Sequence, residues 1–212
     1  MFASYLLYLL LMTSTTTQGV PALSWDFSTD ALHGLPRGWQ TRGKSSRPVY
    51  EVVADADGNR YIAAHSHGSD VQLGVDLSGL GKSLSILSWR WRARELPLGG
   101  DERELKTMDS AASVYAVFGT RIFPHILKYV WSSSLPIGTT FKHPSSGRLT
   151  IITVNTGHPG QWQEVKRDLA ADYKGAFGSN PPNLIAIGIK TDSDSTRSSA
   201  EADYDDFRLS QR

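Results

Sequence analysis

The chain has 212 residues, a formal net charge of +1 and no cysteine. A near-zero charge gives no support to a nucleic-acid partner, which calls for a basic excess. The lack of cysteine excludes disulfides and thiolate-held metals.

The opening stretch, "MFASYLLYLLLMTSTTTQGVPA", has an apolar run from Tyr5 to Met12 and then small and polar residues up to Ala22. The run is too short to cross a bilayer, so residues 1–22 read as a secretory signal peptide, although no Lys or Arg precedes the run. Residues 23–212 are then expected to form a single domain in the periplasm or outside the cell, with no transmembrane segment in the mature chain.

Strand signals begin at once. "LSWDFS", "PVYEVVA", "RYIAAHS" and "DVQLGVDL" follow one another at short spacing, separated by "DADGN" and "HGS" turns. The clearest strand is "SILSWRWRAR", Ser85 to Arg94. Leu87, Trp89, Trp91 and Ala93 fall on one face, and Ser88, Arg90, Arg92 and Arg94 on the other. One face must therefore be apolar and the other wet and cationic. "SVYAVFG", "ILKYVWSS", "LTIITVN", "WQEVKRDL", "NLIAIGIKTD" and "ADYDDFRLS" complete the expected strands. Their spacing predicts an all-β fold, a β-sandwich of jelly-roll type with one or two short helices. "GDERELKTMD" is one helix candidate, with Asp101 and Glu104 at capping-box spacing. "DLAADYKGAFGSNPP" is the other, with Leu169, Tyr173 and Ala176 on one stripe and a stop at Gly178.

From Trp89 onward the ordered motifs "WRWRARELPLGGDE", "VYAVFG", "LKYVWSSSLPIGT", "WQEVKRD", "DYKGAFGSNPP" and "IKTDSDST…DYDDFRL" resemble a bacterial family of exported proteins, the domain-of-unknown-function family numbered three-zero-four-seven. The resemblance covers about residues 23–210 and implies a compact exported domain without assigning an activity. The chain departs from that pattern at Ser110, where a second acidic residue is expected after Asp109. It departs again at Ser195 and Arg197, where Asn and Gly are expected. A weaker, architectural likeness links "WDF" and "YDDFRL" to the terminal strands of carbohydrate-binding jelly rolls, which lie side by side near a structural calcium.

Three groups of residues carry possible chemistry. In the acidic loop, Asp192 and Asp194 offer hard oxygens at alternate positions, and Asp205, Asp206 or Asp26 could complete the shell. The expected ligands of a structural Ca²⁺ are Asp192, Asp194 and Asp206. The loop is not an EF-hand, since Arg197 stands where that motif needs Gly. Arg90 and Arg92, about 7 Å apart on one strand face, are expected to form a ligand-binding surface with Lys128, Tyr129, Trp131 and Arg167. Guanidinium groups would grip carboxylates there, and aromatic rings would stack on sugars. The competing reading is that Arg90 and Arg92 form cross-strand Arg–Asp or Arg–Glu pairs while Trp89, Trp91 and Trp131 lie in the core.

The third group holds catalytic candidates: Asp109, Glu164, Lys106, Arg167 and Tyr173, drawn from a wider set with Asp101, Glu102 and Asp172. Paired carboxylates suit glycoside hydrolysis, and Tyr or Lys beside Arg suits proton abstraction from a uronic acid. No spacing among them is diagnostic. His65 and His67 share a strand face without a third motif-linked zinc ligand, and no serine sits in a nucleophile elbow. The functional expectation is an exported binding module for a glycan, acidic polysaccharide or small molecule. The alternatives are a polysaccharide-cleaving enzyme and a structural envelope protein that binds another protein.

Overall fold

The computed structural model describes residues 22–80 and 84–212. The signal-peptide reading falls on residues outside them. Two sheets form a β-sandwich. The six-stranded sheet runs β11 (Gln163–Asp168), β6 (Ile86–Glu95), β13 (Ser199–Ser210), β4 (Arg60–His67) and β3 (Tyr50–Ala54), with β1 (Leu23–Trp25) also paired to β13. The seven-stranded sheet runs β2 (Trp39–Lys44), β5 (Asp70–Asp76), β12 (Leu184–Lys190), β7 (Ala112–Gly119), β8 (Pro124–Ser132), β10 (Ser146–Thr156) and β9 (Thr140–His143). β8 and β10 pair in parallel. Opening and closing strands lie side by side, with Leu23 opposite Leu209 and Trp25 opposite Phe207.

Alternation builds the core. On β6, Leu87, Trp89, Trp91 and Ala93 are buried. They meet the inward residues of β8, with Trp89 5.5 Å from Tyr129 and Trp91 5.9 Å from Trp131 between ring centroids. The Trp91 indole N–H donates to Asn155 Oδ1, and that of Trp131 to the Gly157 carbonyl, so two buried dipoles find partners. Because the period is two, β8 must turn Ile126 and Lys128 to the opposite face from Leu127, Tyr129 and Trp131.

One helix, α1 (Leu169–Phe177), closes an end of the sandwich. The Asp168 carboxylate caps it by accepting from the Ala170 and Ala171 N–H groups, and Gly178 ends it at φ 74°. Leu169 and Tyr173 are buried, with Tyr173 against Phe118. The helix expected over residues 100–109 is a series of turns instead. Asp101 Oδ1 accepts from the Arg103 N–H two residues on, and its carboxylate is then held by the Arg103 guanidinium. Glu102 is drawn into the interior by the hydroxyls of Ser110 and Ser132. A side chain anchored in that way cannot sit on a regular exposed helix. Among the described residues no helix is long and apolar enough to cross a membrane.

Candidate functional site

Two polar surfaces lie on opposite outsides of the sandwich. On the six-stranded sheet, Arg90 and Arg92 of β6 project outward beside the outward residues of β13, in a register that sets Asp205 against Arg90 and Asp203 against Arg92. Arg92 holds Asp203 at 2.5 Å, and Arg90 holds Asp205 at 2.7 Å and Asp206 at 2.8 Å. The double grip on Arg90 comes from a bulge in β13, where Asp206 takes φ 51° so that two consecutive carboxylates reach one guanidinium. Trp162 caps the ladder, its ring 4.8 Å from each guanidinium. Burial pushes the carboxyls of Asp203 and Asp205 up, against the pull of Arg92 on one and of Asn59 and Arg90 on the other. Arg90 and Arg92 are thereby paired within the sheet and covered by Trp162.

The expected ligand surface is therefore divided. Tyr129 and Trp131 point into the core. Arg167 turns toward the helix end, where Asp172 accepts from its Nε and Nη2 at 2.9 and 2.6 Å and from the Tyr129 hydroxyl at 2.8 Å. Lys128 belongs to the other sheet and faces its outer side. The catalytic candidates do not converge either. Glu164 is exposed on β11 beside Arg90 and Lys166, Lys106 is exposed in a loop, and Tyr173 is buried with its hydroxyl on His125. Asp109 is fully buried and accepts from the Ser195 N–H, the Thr196 N–H and the Thr196 hydroxyl. It holds the acidic loop in place.

The second surface is a groove of about 680 Å³ across the outer side of the seven-stranded sheet. Its middle lacks side chains, because Gly74 and Gly188 face each other in the register of β5 and β12. A Cβ on Gly74 would come within 3.0 Å of the Ile187 carbonyl oxygen, so both the open floor and the close strand approach need glycine. Around this gap stand Tyr115 of β7, Lys128 of β8, Lys190 of β12 and His143 of β9. The Lys128 ammonium lies 5.7 Å from the centre of the Tyr115 ring. Burial and the nearby Lys128 both keep His143 below its usual range.

At one end of the groove the strand β12 runs into the acidic loop. Lys190 Nζ lies 2.6 Å from both Asp70 and Asp192. Burial works against the Lys190 charge, but Tyr115 and the two carboxylates outweigh it and hold the ammonium above its usual range. Asp192 is 3% exposed, and burial raises its carboxyl to about 7 despite the opposing pull of Lys190 and Lys128. One oxygen from each of Asp109, Asp192 and Asp194 lies within 4.8 Å of the others. Asp206 and Asp26 are not in this group. They line a separate hollow on the six-stranded sheet with Arg90 and Glu164. Asp109, chosen from the sequence for catalysis, takes the place expected of Asp206. His65 pairs with Glu201, and His67 bonds to Ser199, on β4 of the six-stranded sheet, away from the groove.

Tyr115 and Lys190 were not singled out from the sequence. "SVYAVFG" and "NLIAIGIKTD" read as plain strands, and nothing local shows that both outward side chains line one groove with Lys128.

The fold and groove define a β-sandwich protein with a polar trough on the outer side of its seven-stranded sheet. The chain belongs to the family described as Protein of unknown function (DUF3047), whose model matches residues 37–208. Comparison with curated protein sequences found no match. Among solved structures, the K3 cleaved adhesin domain of Lys-gingipain from Porphyromonas gingivalis is 13% identical, at a TM-score of 0.43, over 89% of this chain and 98% of that one. The CBM22-1 xylan-binding domain of Paenibacillus barcinonensis Xyn10C is 11% identical, at 0.41, over 89% and 92%. The xylan-binding module CBM15 is 10% identical, at 0.41, over 92% and 97%. At TM-scores this low the matches carry no argument about ligand or reaction.

Proposed function

We propose that this chain is an exported binding module whose groove on the seven-stranded sheet takes an acidic glycan. One observation carries the reading. Lys128 is 4% exposed at the groove floor, yet among the described residues its ammonium forms no ion pair. The carboxylates at the groove's end, Asp70 and Asp192, are held by Lys190 instead. The ammonium reaches the groove, and an anionic ligand would supply the ion pair that the protein leaves out.

The surroundings suit a sugar carrying a carboxylate. The facing glycines leave an open floor for a flat pyranose, and the groove of about 680 Å³ gives it room. The apolar run Tyr5–Met12 supports export. Calorimetric titration of the protein with oligouronates and with neutral oligosaccharides of equal length tests the reading. Uronates should bind and neutral chains should bind at least tenfold more weakly. No heat with any uronate at millimolar concentration sinks it.

A further inference from the structure

The acidic loop holds a second feature, which does not depend on the glycan reading. Asp192 presents Oδ2 to Lys190 at 2.6 Å, which turns its other oxygen away from that ammonium. This second oxygen, Oδ1, is fully buried and accepts no hydrogen bond. A buried carboxylate oxygen without a donor costs free energy unless something positive meets it. The Asp109 and Asp194 carboxylates lie near the Asp192 carboxylate, one oxygen of each within 4.8 Å of the others, and they add charge of the wrong sign.

The geometry points to a calcium site formed by Asp109, Asp192 and Asp194, at the end of the groove. Calcium holds its oxygen ligands at about 2.3–2.6 Å, so two ligands of one ion stand at most about 5 Å apart. The three Asp oxygens meet this condition, lying within 4.8 Å of one another. Charge agrees with geometry. Three carboxylates meet there, and among the described residues only Asp192 of the three is held by an ammonium, that of Lys190.

The site is also braced. Asp109 has both oxygens oriented by donors from Ser195 and Thr196 and keeps lone pairs free for an ion. Asp194 is exposed, so water can fill the rest of the shell from the solvent side. Calcium here would tie the β12–β13 loop to the segment leading into β7. Its open side would border the groove, since Asp192, Asp194 and Ser195 line both.

The test uses the full chain without any sugar. Its thermal midpoint is measured in EDTA and then with calcium, and terbium luminescence sensitised by the protein's aromatic residues follows binding directly. Calcium should raise the midpoint by several degrees and displace terbium. Asp194→Asn, at an exposed position that leaves the core intact, should abolish both effects. Asp206→Asn, in the hollow of the opposite sheet, should leave both unchanged. No midpoint shift and no terbium signal in the unaltered protein would overturn the site, leaving a proton shared between Asp192 and Asp194 to neutralise the cluster. Loss of the response in Asp206→Asn with its retention in Asp194→Asn would overturn it equally.

Discussion

The arginine ladder on the six-stranded sheet and the lysine groove on the seven-stranded sheet are both cationic in sequence and opposite in structure. Arg90 and Arg92 meet their counter-charges one strand away and lie under Trp162. Among the described residues Lys128 forms no ion pair, while Lys190 of the same groove holds Asp70 and Asp192. The difference teaches that a positive residue signals a ligand only where the fold withholds its partner. The ladder is a device for stability, in which burial of Asp203 and Asp205 is offset by paired guanidinium groups. The groove is the site we propose for a ligand.

The comparison breaks most readily at the ladder. Asp203→Ala should cost about 3 kcal/mol, at the lower end for a buried pair because Arg92 stays a quarter exposed. Chemical denaturation measures this, and oligouronate binding by the same variant should be unchanged. A variant as stable as the parent would mean that the ladder is not structural. Next comes the groove. Lys128→Met should weaken uronate binding at least tenfold, about 1.4 kcal/mol, with little loss of thermal stability, since it breaks no ion pair and keeps an apolar chain of similar length. Equal affinity in parent and variant would return the groove to ordinary surface.

Smaller effects sharpen the contrast. Trp162→Ala should lower stability by about 1 kcal/mol through its two cation–π contacts and leave uronate affinity alone. A fall in affinity instead would move the ligand to the ladder face. The smallest effect concerns pH. Burial, with Arg148 and Lys142 nearby, holds His125 below its usual 6.5. As pH falls through 6.5 the unfolded chain takes up a proton at this histidine that the folded one resists, so the contribution of His125 to stability declines on the acid side and is constant above it. His125 stacks on Phe177, and His125→Phe should flatten that acid limb in melts followed from pH 7.5 to 5.5 (about one unit either side of the ordinary histidine value).

Much of the fold was legible in the chain. The alternation of "SILSWRWRAR" placed Trp89 and Trp91 inside and the arginines outside, and α1 with its Asp168 cap and Gly178 stop was visible in "DLAADYKGAFG". These follow from local rules, because strand period and helix caps depend on neighbours in sequence. β2 and β9 escaped, being short and polar edge strands of the seven-stranded sheet whose pairing rests on β5 and β10. The turns at 101–107 escaped because Ser110 and Ser132 claim Glu102 from eight and thirty residues away.

The candidate site was legible only in fragments. Asp192, Asp194, Asp109 and Lys128 stood out individually, but their grouping needed the register of β12 between β5 and β7 and the return of the 191–198 loop onto Asp109. By itself the sequence determined the elements, which side of each strand faces the core and the absence of any thiol chemistry, since these depend on residue type and spacing. Tertiary structure decided which charges are neutralised and which are left for a ligand, because pairing acts over a few ångströms between residues that lie about a hundred positions apart in the chain.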